Sequence, residues 1–475
     1  LNRSIPLTAA FVAPRLSACP GLARIVAARD GGICRVKLPC GELSASQAVT
    51  LSDAAERHAS GVIEVTNRAN LQLRGVRLGH ESALTEALVD AGFGPHGPCD
   101  SSRSRDRTTH PSRGLAADDV RNLMVSPVAG RDPQALIDTT ALAHEILATL
   151  QTDTRLHALS AKFALLIDGG ERLAMLEHPH DIWLAALRDT RDGALRFAFG
   201  LAGCPPVSGR GNSHGGALAA VEPQHAGALT AALLHTFLDL AKPGLSRMRE
   251  LLAAHPVEKV MRHLLARIDF PLSRDEHLGA WRRSHADASL RLGAHAQRQQ
   301  GLWHVGGQPP LGRLNAASLR RLAALASGRG GATLRMTPWQ SVLLPDVPSR
   351  NAPAALAELR ELGFACSPAD PFARLIACAG SAGCAKGLAD TKADALRLAP
   401  CLPPGTQVHL SGCPRSCAAA HCAPHTLVAV APGRYDLYQR DAQPEPGFGP
   451  CAARRLSIDE AAAHLNRQPG SPIDA

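Results

Sequence analysis

Apolar positions recur every three or four residues from Gln47 to His58 and again from Leu319 to Ala326, the spacing that lines one face of a helix. Each stretch passes through a short turn into two β-like runs. In the first these are VIEVT and LQLRGV (62–66, 71–76), and in the second TLRMT and VLLPDV (333–337, 342–347). Gly41–Leu73 aligns over Gly312–Leu344 without a gap: Gly41 meets Gly312, Leu43 meets Leu314, Thr66 meets Thr337 and Leu73 meets Leu344. Two copies so widely separated do not form a solenoid. They predict a duplicated α/β half-domain whose copies pack around a pseudo-twofold axis.

Between the copies, SAKFALLIDGG (Ser160–Gly170) predicts a strand ending in a glycine turn, and the stretch from Ala226 to Ala241 predicts a helix. Beyond the second copy come a helix over Ala354–Leu362, a cysteine-bearing region, a hairpin over Leu427–Tyr438 turned by Pro432-Gly433, and a helix over Ile458–Leu465. His96–Arg113, rich in Ser, Arg, Gly and Pro, predicts a solvated linker or surface loop.

A length of 475 residues suits two to four domains. Hydrophobic residues make up 45% with charge well distributed, a globular composition, and no apolar run approaches a membrane span. The opening residues, broken by Arg3, Pro6, Pro14 and Arg15, lack the continuous apolar region of a signal peptide. A cytoplasmic protein without a membrane partner is expected. The formal charge of +9 admits an acidic ligand. With aromatics at only 3% and basic residues scattered, a nucleic-acid platform is not expected.

In a reducing compartment thirteen cysteines read as metal ligands and buried thiols, not as a disulfide framework. Cys378-x5-Cys384 and Cys413-x3-Cys417 supply four soft thiolates, the set that an iron–sulfur cluster requires. Gly380 and Gly383 would let backbone approach such a cluster. Val408–Leu410 predicts a strand leading to Ser411-Gly412-Cys413-Pro414; a helix begun at Pro414 would put Cys413 and Cys417 on one face, at its N-terminus. Two other readings stand beside this one: a zinc site drawing on Cys413, Cys417, His421 and Cys422, and plain buried thiols. Arg68, taken alone, reads as a solvent-facing strand residue.

The cysteine pattern together with the half-domain repeat resembles the sulfite/nitrite reductase family. TNRANLQLRG (Thr66–Gly75) is similar to that family's T-x-R-x-x-x-Q segment, and DDVRNLM (Asp118–Met124) to the segment carrying a further arginine and asparagine. The resemblance implies a [4Fe–4S] cluster on Cys378, Cys384, Cys413 and Cys417, with Cys417 also bridging to a second iron. It implies a tetrapyrrole pocket lined by Arg68, Asn70, Gln72, Arg121, Asn122 and Lys162, with Arg68 and Lys162 as catalytic candidates; guanidinium forks suit a ring bearing many carboxylates. Within the family, SACPGLARIVAARDGGICRVKLPCGELSA (Ser17–Ala45), RMTPWQSVLLP (335–345) and DTKADA (Asp390–Ala395) resemble the precorrin-3B synthase branch. That branch implies oxygen-dependent hydroxylation of precorrin-3A with lactone formation. Its partners would be dioxygen and an external electron donor, a reductase, ferredoxin or NAD(P)H-linked protein. The second iron is either a siroheme or a mononuclear non-haem iron, and no histidine pair is singled out as its ligands. The other branch is a siroheme-dependent sulfite or nitrite reductase. Against it, Ala164 stands where reductases carry a second lysine, and Thr140 where a further arginine is expected.

The implied fold is α+β: ferredoxin-like half-domains at 15–95 and 290–350, a tetrapyrrole-binding α/β domain at 110–270, and a cluster-binding α/β domain at 355–470. The two larger domains would be related by pseudo-twofold symmetry.

Overall fold

The computed structural model describes residues 19–95, 111–209, 216–274, 276–419, 423–440 and 447–467. Among the described residues twenty strands form four five-stranded sheets. The first half-domain contains β1 (Val26–Ala28), β2 (Gly31–Val36), β3 (Glu42–Ser44), β4 (Val62–Val65) and β5 (Leu71–Val76). The second contains β11 (Gly293–Ala296), β12 (Leu302–Gly307), β13 (Arg313–Asn315), β14 (Thr333–Met336) and β15 (Val342–Pro348). Between them lie β6 (Leu123–Val125), β7 (Leu165–Asp168), β8 (His180–Arg188), β9 (Leu195–Gly203) and β10 (Ala219–Val221). After them come β16 (Leu375–Ala377), β17 (Val408–Ser411), β18 (His425–Ala431), β19 (Arg434–Gln439) and β20 (Cys451–Leu456).

The half-domains exchange a strand. One sheet runs β1-β2-β5-β4-β13 and the other β11-β12-β15-β14-β3, so each copy completes the other's edge. Leu314 pairs with Ile63, and Leu334 with Leu43. The exchange starts at a tight turn that places Cys40 and Leu311 at φ 54° and 53°, followed by Gly41 and Gly312 at 73° and 69°. A side chain on Gly41 would strike the Met336 carbonyl of the other copy, so the swap needs glycine there. The same register pairs left-handed Ala69 with Gln340, Gly75 with Asp346 and Gly92 with Gly363. The duplication therefore reaches well beyond the segment visible as a repeat. Helices Ala45–His58 and Ala316–Arg329 are capped by Ser44 and Asn315 respectively. They pack together over one shared core that includes Leu51, Ile63, Leu73, Leu322, Leu334 and Leu344.

Two boundaries differ from the sequence reading. Helix Ala352–Glu361 buries Ala352, Ala355 and Leu359 in that shared core and corresponds to helix Glu81–Asp90 of the first copy. It therefore belongs to the second half-domain and not to the cluster domain. Of the expected linker, 96–110 lies outside the described residues, and 111–113 already form part of helix Pro111–Val120.

The two larger sheets, β6–β10 and β16–β20, share one topology. In each, three parallel strands are followed by two antiparallel ones. Helices Thr140–Thr152 and Thr391–Leu398 form the first crossover of each sheet. The second crossover has no helix among the described residues in either sheet, at 169–179 and at 412–419 and 423–424, and the latter carries Cys413 and Cys417. Each half-domain touches both larger domains. The first meets the end of helix Pro111–Val120, before β6, through the Lys37–Asp119 contact, and the helical turn Gly380–Gly383, after β16, through the Arg74–Gly383 contact. The second meets the loop after β6 through the Arg131–Asp346 ion pair, and the loop before β16 through the Gln308–Phe372 contact.

Candidate active site

Cys378 directly follows β16, and Cys413 follows β17 by one residue, Gly412. The Cys378 sulfur accepts the Gly412 N–H at 3.1 Å and the Gly380 N–H at 3.4 Å, two backbone donors of the kind that stabilise a thiolate. A Cβ on Gly412 would press on Gly387 and Gly380 and sit 3.4 Å from the Cys378 sulfur, so the loops close over the cysteine only because all three positions are glycine. The Cys417 thiol is pushed up by burial and then by the neighbouring Cys413, Cys378 and Cys384, with Arg415 opposing. Four thiols thus share one electrostatic neighbourhood. Four thiolates there would repel one another unless a cationic centre compensated them, which fits an iron–sulfur cluster.

No set of three or more His, Cys, Asp or Glu among the described residues is disposed to hold a single metal ion. His421 and Cys422 of the zinc reading lie outside the described residues. The helix expected at Pro414 does not form. Residues 413–418 are turns, with Ser416 at φ 51° and Ser411 Oγ donating to the Cys413 carbonyl at 2.7 Å. Left-handed Ser416 breaks the helical path, and the donors to the Cys378 sulfur are Gly412 and Gly380, the latter opening the single helical turn Gly380–Gly383.

Beside this cysteine neighbourhood, at the edge where β6, β7 and β8 begin, is a cluster of cations. Arg68 follows Asn67, whose Nδ2 donates to the Cys417 carbonyl at 3.2 Å. Burial, then Arg35 and Arg247, bring the Arg68 guanidinium down to about 10, and its side chain donates to none of the described residues. Arg35 donates to Gln72 Oε1 at 3.3 Å, and the Cys417 sulfur lies within its electrostatic reach. Lys37, 6% exposed, donates to the Asp119 carbonyl at 2.7 Å; burial, opposed by Asp118 and Asp119, brings it down to about 7. Arg121 pairs with Asp118 at 2.5 Å, both buried, and its Nε lacks a partner. Asp181 accepts Arg247 Nε at 3.0 Å, Met248 N–H at 2.8 Å and Ala164 N–H at 2.9 Å. His180 is held near 3 by burial and by Arg68, so its ring is neutral.

The structure thus brings Arg68, Gln72 and Arg121 into one neighbourhood. Asn70 and Asn122 are close by but already engaged. Asn70 Oδ1 accepts the Leu38 N–H at 2.8 Å, and Asn122 Nδ2 donates to the carbonyls of Asp119, Ala161 and Phe163. Lys162 is exposed and has no ion pair among the described residues. Thr140 does not belong with Ala164. It stands beside Gly130, after β6, whereas Ala164 precedes β7; the strand between puts them about 13 Å apart at opposite edges.

Sequence reasoning missed Arg35, Lys37, Arg247 and the pair His178-Pro179-His180. Arg35 and Lys37 alternate at the end of β2, a signal available from spacing, and His-x-His was present in plain view with ring centroids 5.1 Å apart. Arg247 has no sequence signal; only the fold carries it to Asp181.

The duplicate of this site is filled. Where the first half-domain has Arg35, Lys37, Arg68 and Gln72, the second has Gly306, Gln308, Trp339 and Leu343, and Ser126 stands where Cys378 does. Val128, Leu173, Leu290, Leu343 and Trp339 pack together there as a small apolar core.

Comparison with known proteins agrees with this architecture. The nitrite/sulfite reductase ferredoxin-like half domain matches residues 27–91 and 295–362, and the nitrite and sulphite reductase 4Fe-4S domain matches 116–272. Together they cover more than half of the chain, although the second match stops before the four cysteines. The chain is 30% identical to a precorrin-3B synthase of Sinorhizobium sp. over 91% of its own length and 85% of that protein's. It is also 30% identical to the chloroplastic ferredoxin–nitrite reductase of Zea mays over 81% of its length and 67% of that protein's. For the spinach counterpart the match spans 64% of the relative. The solved structure of Mycobacterium tuberculosis NirA superposes with a TM-score of 0.73, covering 92% of this chain and 80% of that one at 20% identity, a likeness of fold.

Proposed function

Because this chain belongs to the nitrite and sulfite reductase family, we propose that it is an iron–sulfur oxidoreductase acting on a tetrapyrrole, a precorrin-3B synthase-type monooxygenase of the cytoplasm that hydroxylates precorrin-3A with dioxygen. Cys378, Cys384, Cys413 and Cys417 would hold a [4Fe–4S] cluster, with Cys417 in electrostatic reach of Arg35 and its carbonyl held by Asn67, next to Arg68. Such a cluster and a second iron, when bound, would supply electron transfer from an external donor. The chain's own residues bind and orient. Arg68 has a free guanidinium for a ring carboxylate, and Arg35, steadied by Gln72, presents a second. Arg121 and Arg247 extend the cationic edge, each with one carboxylate partner.

The observation that carries this reading is how the positive charge is distributed. At this edge three cations are matched, Arg121 by Asp118, Arg24 by Asp119 and Arg247 by Asp181, while Arg68 and Arg35 have no carboxylate partner among the described residues. Arg68 and Arg35 are thus two guanidinium forks open to carboxylates carried on one ring, each able to pair bidentately. The same guanidinium forks would suit the carboxylates of a siroheme. A mononuclear iron fits less well: His178 and His180 adjoin, but Arg68 and Arg247 flank His180, and the described residues supply no third ligand. The second reading, a siroheme-dependent nitrite or sulfite reductase, draws on the unpaired Arg68 and Lys162.

The deciding experiment uses anaerobically purified protein. Its optical spectrum is recorded with iron and sulfide quantified, and turnover is then measured with precorrin-3A plus dioxygen and, separately, with nitrite and sulfite. Oxygen-dependent conversion of the tetrapyrrole without appreciable anion reduction is expected. Strong isobacteriochlorin bands with rapid nitrite or sulfite turnover would replace this proposal with the second reading.

A further inference from the structure

The segment that carries Arg68 and Gln72 also reaches the cysteine loops. Arg74, on β5 and 2% exposed, donates Nη2 to the Gly383 carbonyl at 2.7 Å and grips Asp30 with Nε and Nη2 at 2.7 and 2.9 Å. Gly383 immediately precedes Cys384. It has no left-handed backbone to require glycine; instead, a Cβ there would collide with the Arg74 guanidinium and crowd Asp30. At the other end of the segment, Asn67 holds the Cys417 carbonyl. One strand and its turn thus pin one cysteine from each pair through the backbone.

The charges around Arg74 form a small set. Glu64 lies 3.5 Å from Arg74, 2.8 Å from Arg313 and 3.7 Å from Lys392. Lys392, buried, donates to the carbonyls of Leu311 and Ala377 and neighbours Cys378. Cys384 is within electrostatic reach of Arg74.

We propose that Arg74 is a positioning residue for the cluster cysteines and that its charge, with Asp30 as counter-charge, sets the reduction potential of the cluster. The proposal rests on the cluster assignment above. Reduction adds one negative charge beside Cys384, and a buried cation stabilises the reduced state more than the oxidised one, so Arg74 raises the potential. Arg74→Gln keeps an amide that can reach Gly383 but leaves the Asp30 carboxylate facing the cluster, which lowers the potential. Asp30→Asn leaves Arg74 without its counter-charge and raises it.

The test uses the full chain with its cluster reconstituted anaerobically, iron and sulfide counted, and the midpoint followed by EPR during a redox titration. Arg74→Gln is expected to shift the one-electron equilibrium about tenfold toward the oxidised form, which corresponds to about 59 mV. Asp30→Asn is expected to shift it in the opposite direction. Intact clusters with no shifts, or with shifts of the same sign, overturn the proposal. If Arg74→Gln loses its cluster, Arg74→Lys must retain one at the wild-type potential, and the direction of the Asp30→Asn shift still decides. Absence of a cluster from the unmodified protein would instead sink the cluster assignment.

Discussion

Lys37 gives the sharpest test of the proposed tetrapyrrole site, because its protonation should report the arrival of carboxylates. The ammonium is 6% exposed, makes one hydrogen bond, to the Asp119 carbonyl, and sits among Arg68 and Arg121; burial brings it down to about 7. At pH 8 roughly a tenth of the protein carries this proton, since one unit separates pH from the folded value. A ligand carboxylate placed within reach favours the charged form by about 1–3 units. A shift to about 9 would protonate Lys37 in some nine-tenths of the complex, so binding should take up about 0.8 proton at pH 8. The assay is calorimetric titration of a stable polycarboxylate tetrapyrrole into the protein in buffers of different ionisation enthalpy, at pH 6 and pH 8. Uptake is expected at pH 8, little at pH 6, and none at either pH in Lys37→Met. Binding without proton uptake at pH 8 would refute the placement of carboxylates beside Lys37. The same group has a stability consequence. Its folded value lies below the unfolded one, near 10.4, so between about pH 7 and 10 the unfolded chain holds the extra proton and the Lys37 contribution to stability rises with pH. Lys37→Met should flatten that rise in a pH series of unfolding midpoints.

Three further outcomes follow from the geometry. Cys417→Ser should lower iron and acid-labile sulfide per chain or uncouple the cluster from the second iron, and an unaltered cluster spectrum with full activity would remove Cys417 from the ligand set. Gly412→Ala places a methyl between Gly387, Gly380 and the Cys378 sulfur, so cluster content should fall after anaerobic reconstitution while the circular dichroism stays unchanged; full occupancy would show that the loops can part. Asp181→Asn presents an amide to the Met248 or Ala164 N–H and strands Arg247, at a cost of about 3 kcal/mol for a buried carboxylate with these partners. Hydrogen exchange of the β7–β8 amides should read that loss, and a change below about 1 kcal/mol would contradict the role given to Asp181.

Local chemistry made much of this protein legible in its sequence. The ungapped match of Gly41–Leu73 to Gly312–Leu344 predicted a duplicated half-domain, because the same turns, caps and alternations must recur wherever the same backbone recurs. Cys378, Cys384, Cys413 and Cys417 stood out as candidate ligands because ligand chemistry restricts residue type and spacing, and the fold brings them into one electrostatic neighbourhood. Arg68, Gln72 and Arg121 came from motif resemblance, and the fold gathers them at one edge. The strand exchange was not legible: β3 and β13 have the same pattern whether they pair within their own copy or with the other, and only packing of the shared core decides. The helix expected at Pro414 failed because a proline permits a helix start without enforcing one, and Ser416 turns left-handed to bring Cys417 to its neighbours. Arg247 and Arg74 carried no local signal at all. Each acts through a partner far along the chain, Asp181 and Gly383, and a contact between distant segments exists only once tertiary packing has brought their backbones together.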